Sequence, residues 1–166
     1  MSDTAVHDRP RGAGAEPQRG APHLGWVVAG LSAAAGAIHF AMAPGHAADS
    51  LSEALGFALA GWFQLVIAAL IISDRAGRRP YQAAVVGNVV ILGLWAWSRT
   101  AGLPVGAHPG VSEDAGLVDV TAAMLEVGVV LLSARLLLAG ERRMAVGRLA
   151  PALAAVAALG VATTVI

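Results

Sequence analysis

The stretch Trp95-Ala-Trp-Ser-Arg99-Thr-Ala-Gly-Leu-Pro104-Val-Gly106 decides how the rest of the chain is read. An apolar run ends in it on two Trp and an Arg. A Pro- and Gly-rich connection follows, and the next apolar run carries Asp119 and Glu126. Indole rings and an Arg at the end of such a run suit a helix that leaves hydrocarbon for the headgroup layer. Composition supports this reading. Of the 166 residues 57% are apolar and 13% charged, where a soluble domain carries about 25% charged residues. A chain so short of polar surface is expected to use the bilayer as its solvent.

Working outward, five apolar runs cover about 24–43, 54–73, 81–98, 117–139 and 149–166. Each is near the ~20 residues that carry a helix across the hydrocarbon, and helices satisfy their own backbone polar groups there. The expected fold is therefore an all-α, single-domain membrane bundle of five transmembrane helices. Residues 1–23 hold Pro, Gly, Arg and two His with almost no apolar periodicity, which predicts a disordered cytoplasmic tail. The first run, with Ala41-Met-Ala43 at its end, has some features of a signal peptide. Its length, and Pro44 directly after the candidate cleavage site, favour a retained helix. The last run reaches Ile166 with no polar segment behind it. Either its carboxylate sits at the interface or the chain is a piece of a longer one.

Net charge is zero, yet the charges are sorted. All eleven basic residues are Arg, and ten fall in alternate connections: the tail, residues 74–80, and residues 135–148. The connections 44–53 and 99–116 hold only Arg99, together with Asp49, Glu53, Glu113 and Asp114. The positive-inside bias then predicts a cytoplasmic N-terminus, five crossings of the cytoplasmic (cell) membrane and outward-facing acidic loops.

Ionisable groups at membrane depth are costly and imply a partner or a wet cavity. His39 lies about one turn from the outer end of the first run. Asp119 and Glu126, seven apart, share a face of the fourth. Gln64 is halfway along the second run, and Asn88 and Trp95 share a face of the third. The expected cluster is His39, Arg99, Asp119 and Glu126 in the outward-facing half, His39 and Arg99 at its mouth and Glu126 near the midplane, with Gln64 and Asn88 behind, Trp95 as a further pocket candidate, and a lid formed by 99–116. Each residue also has a plainer role. Arg99 would be an anchor paired with Asp119 or the loop acids, and Trp95 and Trp97 belt residues. Glu126 would be tied to Gln64 or Asn88, and His39 would be a satisfied interior histidine.

Without cysteine the chain has no thiolate site and no disulfide. His39, His46 and His108 are the candidates for a metal, although Pro44 is expected to break the helix between the first two. His7 and His23 lie in or beside the tail. No nucleophile elbow, phosphate loop or dinucleotide pattern is present, and no basic patch with interleaved aromatics points to nucleic acid. Three functions stay open. The chain would be a non-enzymatic membrane component, a binder of a small ligand or metal at the outer face, or a proton-coupled small-solute carrier using Glu126. A homo-oligomer or a membrane-protein partner stays open as well.

Taken together, Gly36-x-x-His39, Pro44-x-His46, the run Ser98-Arg-Thr-x-Gly-Leu-Pro-x-Gly106, Asp119 and Glu126 resemble a family of uncharacterised, small, mainly actinobacterial multi-pass membrane proteins. The resemblance covers about residues 25–138. It implies a helical membrane fold and draws attention to these positions, and it brings no reaction with it. Gly45 departs from the Glu the family pattern would place there.

Overall fold

A computed structural model describes residues 21–73 and 77–139. Four helices make it up: α1 (Ala21–Ala47), α2 (Leu51–Ser73), α3 (Arg79–Thr100) and α4 (Leu117–Leu138). Among the described residues there is no strand, and all four helices are long and apolar enough to cross a membrane. The fifth expected run, 149–166, lies outside the described residues, as does the expected tail up to residue 20. Residues 21–23, expected in the tail, instead open α1.

The other boundaries fall within a few residues of the expected ones, with one correction. Helix α1 does not stop at Pro44 but continues to Ala47. A proline inside a helix removes one backbone hydrogen bond, a loss that membrane-type helices tolerate when their neighbours hold them. His39 and His46 consequently lie on one helix, seven residues apart. Helix α3 opens with Pro80 in its first turn, where a missing N–H costs nothing.

The helices form a ring in chain order. Helix α1 packs on α2, α2 on α3, α3 on α4 and α4 back on α1, while diagonal pairs do not meet. Short connections between sequential helices give antiparallel neighbours. One end of the bundle therefore gathers the turn 48–50 and the connection 101–116, and the other end holds Arg78 and Arg79 at the start of α3. The α1–α2 contact is the most extensive and α2–α3 the thinnest.

Small residues set the close contacts. A Cβ added at Gly36 would come 3.1 Å from the Gly61 carbonyl oxygen, and one at Gly61 would come 2.9 Å from the Phe40 ring. One at Gly87 would overlap the ring of Phe63. Helix pairs in lipid depend on such close approach, because lipid tails are as apolar as leucine.

The distribution of polarity is inverted relative to a water-soluble bundle. On α2 the exposed face is Leu51, Leu55, Leu59, Trp62, Val66 and Leu70. The buried side chains include Ser32, His39, Gln64, Asn88, Ser98, Glu126 and Ser133. A helix that is apolar outside and polar inside is matched to hydrocarbon, where an exposed Leu costs nothing and an exposed Gln is expensive.

Gly61→Val should drive its branched side chain into Phe40 and destabilise the α1–α2 pair by about 1–3 kcal/mol. Gly93→Val, on an exposed position of α3 with open space around it, should cost well under half as much. Unfolding of the two variants in mixed micelles measures the difference.

Candidate functional site

Each edge of the helix ring carries a polar tie. Between α1 and α2, the Ser32 hydroxyl lies 2.8 Å from the Gln64 backbone oxygen and 2.6 Å from its Oε1. Between α2 and α3, Gln64 Nε2 donates to Asn88 Oδ1 at 2.7 Å, and Asn88 Nδ2 donates to the Ala84 carbonyl at 2.7 Å. Between α3 and α4, Arg99 Nη2 lies 3.0 Å from Asp119 Oδ2, and Nη1 contacts the Glu113 carboxylate. Between α4 and α1, His39 Nε2 and Glu126 Oε1 are 2.7 Å apart, both side chains being buried.

The expected pairing of Glu126 with Gln64 or Asn88 is therefore corrected. Glu126 meets His39, and the two amides satisfy each other and Ser32. The reason is geometric. Gln64 and Asn88 face one another across the α2–α3 edge, whereas α4 borders α1 and α3 and never reaches α2. The pairing of Arg99 with Asp119 and a loop acid is found. Asp119 also accepts a bond from the Gly116 N–H at 3.0 Å, which caps α4 and fixes the carboxylate toward Arg99.

A cavity of about 560 Å³ lies at the loop end of the ring, within the size range of small-molecule pockets. His39, Trp95, Arg99, Asp119 and Glu126 all line it. Gln64 and Asn88 do not; they are fully buried and tie helices together. The connection 101–116 covers the cavity through Leu103, Val105, His108 and Glu113. It is held by defined contacts. Ala107 N–H donates to Glu53 Oε1 at 2.7 Å, Glu113 N–H donates to the Ser98 carbonyl at 3.0 Å, and Gly110 N–H donates to the Leu103 carbonyl at 2.8 Å. Two glycines are required here. Gly102 at φ 74° leaves no room for a Cβ beside the Val111 backbone. Gly106 at φ 124° lets the Glu53 carboxylate approach the loop.

Sequence reasoning missed a second pair and the ring between the two. His46 Nδ1 lies 2.9 Å from Glu53 Oε2, across the turn between α1 and α2. The Phe57 ring stacks on His46 with centroids 4.2 Å apart and lies tilted against His39 at 5.8 Å. The signal was present: a run of only three residues joins α1 to α2, so residues flanking it must meet. Ser32 was missed too, although it lies seven residues before His39 and hence on the same helical face.

Among the described residues no group of three or more His, Asp or Glu is arranged to hold a metal ion. His39 and His46 each have a carboxylate partner, and exposed His108 lies in the covering loop. Three buried polar atoms on residues lining the cavity have no hydrogen-bond partner: His39 Nδ1, Trp95 Nε1 and Arg99 Nε. Buried polar groups are nearly always paired, so orphans concentrated in one place point to a binding role. Comparison of the chain with family models, curated proteins and solved structures finds no match.

His39→Leu alone should strand a buried carboxyl group and cost on the order of 3 kcal/mol. The double variant His39→Leu/Glu126→Leu should regain most of that loss, because an apolar pair of similar volume leaves nothing unsatisfied. Unfolding titrations of the two single variants and the double variant give the coupling directly.

Proposed function

We propose that this chain is a non-enzymatic multi-pass protein of the cell membrane that binds a small ligand in the cavity under the 101–116 connection. The observation that carries this is the cavity itself. About 560 Å³ is bordered by a buried His–Glu pair, an Arg held by two carboxylates, and three polar atoms without partners. Side chains serving only as interhelical ties would close on each other, as Ser32, Gln64 and Asn88 do, and leave no space.

The proposed topology has five spans with the N-terminus cytoplasmic and the cavity opening outward. Its support is the charge sorting: ten Arg in one set of connections and Arg99 alone in the other.

Native mass spectrometry of protein purified in mild detergent tests the binding role. Wild type should carry a small-molecule adduct that is lost in Arg99→Gln and retained in Val86→Ala, on the lipid-facing surface. An adduct-free wild type, or one insensitive to Arg99→Gln, would overturn the assignment. Topology is tested separately, since the chain has no cysteine. With a membrane-impermeant maleimide, Asp114→Cys should label on intact cells and Ser2→Cys only after permeabilisation. The reverse pattern would invert the topology.

A further inference from the structure

The cavity does not stop at its polar end. It continues down the thin α2–α3 edge as a crevice lined by Gly56, Leu59, Phe63, Val90 and Leu94. Leu59, Val90 and Leu94 also belong to the outer surface, with 70%, 55% and 47% of their area exposed. Residues that both line a cavity and face outward mark its mouth. This mouth opens sideways, between two membrane-length helices, and not only toward the loops. The floor is the Phe63 ring seated on Gly87, with the Gln64–Asn88 bond at the same level of the two helices. The space thus joins a polar compartment under the loop to an apolar slot open on the face that meets hydrocarbon.

The charges in the polar compartment restrict what can occupy it. Glu53, Glu113, Asp119 and Glu126 line it beside a single Arg. That Arg already faces two of the carboxylates, and His39 and His46 each face another, so a phosphate or carboxylate head would add negative charge beside four carboxylates. A cationic head would find carboxylates, but His39, His46 and Arg99 already occupy them. Two of the partnerless atoms, Trp95 Nε1 and Arg99 Nε, are N–H donors and call for an acceptor. Both atoms are shielded from solvent, on side chains that line the cavity.

We infer that the ligand is a neutral, single-chain lipid amphiphile with a carbonyl-bearing head, the chemical class of the lipid quinones, which enters sideways from the bilayer between α2 and α3. The head lies among Trp95, Arg99 and His39, and the chain lies in the slot beside Leu59 and Leu94. This rests on the binding role proposed above and adds the class of ligand and its route.

Binding of a decyl-tailed benzoquinone to the full chain in nanodiscs tests it. Gly56 lines the slot and has open space where a side chain would start, so Gly56→Phe places a ring at the slot. That variant should weaken binding at least tenfold, while Gly93→Phe, off the cavity, leaves it unchanged. Trp95→Phe, which keeps a ring and removes the N–H, should weaken it about fivefold, as expected for about 1 kcal/mol. Tail-less benzoquinone and decanoate should each bind at least tenfold more weakly than the probe. Melting temperatures of the variants establish that they are folded. Wild-type affinity in Gly56→Phe overturns the lateral route, and tighter binding of decanoate or of decylamine overturns the head-group class. If the copurified adduct survives in Gly56→Phe but not in Arg99→Gln, the cavity binds a ligand and only the amphiphile is wrong. If no adduct is found and the probe does not bind, the binding role itself fails.

Discussion

The hydrogen bond between His39 and Glu126 closes the ring of helices. Eighty-seven residues separate its partners, and it joins the first described helix to the last. Apolar surface alone gives a helix in hydrocarbon little reason to prefer one neighbour to another. Polar groups do give one, because an unpaired carboxyl or amide in that medium costs several kcal/mol. One such tie on each edge makes the order α1–α2–α3–α4 the arrangement in which all of them are satisfied. Any exchange of neighbours would strand at least one buried group.

The four edges are not equivalent, and the difference shapes the molecule. The α1–α2 edge is dense, because Gly36 and Gly61 let the two helices come close and Phe40 fills the remaining space. The α2–α3 edge is held at one level by Phe63 on Gly87 and by the two amides, and above that level residues of both helices line the cavity. Polar ties at the base and the pinned connection above hold it open, so its volume is a consequence of packing that is good elsewhere. Phe57, set between two histidines that each hold a carboxylate, makes the α1–α2 side of this compartment a stiff wall.

The connection 101–116 acts as a covering element and not as a linker. Glu53 reaches from α2 to hold the Ala107 N–H, and the Ser98 carbonyl at the end of α3 holds the Glu113 N–H. Arg99 then binds the loop through Glu113 and the start of α4 through Asp119. Arg99 thus fastens three pieces of chain, which accounts for an Arg at this end of the bundle, where the described residues hold no other.

Element positions were legible in the sequence because the bilayer imposes a fixed length and forbids unpaired backbone, and both demands act locally. Apolar run length placed four helices to within a few residues, and Asp119 and Glu126 were assigned to one face by helical period alone. The Pro44 expectation failed because His46, beyond the proline, is held to α2 by the Glu53 carboxylate and the Phe57 ring. Which polar group meets which was not legible. The expected partners of Glu126 were Gln64 and Asn88, but α4 does not border α2, Asn88 is turned to Gln64, and Glu126 meets His39. The sequence by itself determined a helical chain matched to a membrane and the roster of polar residues to be hidden. Only the tertiary structure decided how those residues pair and where a cavity remains, because both depend on which helices are neighbours, and periodicity along one chain does not encode that.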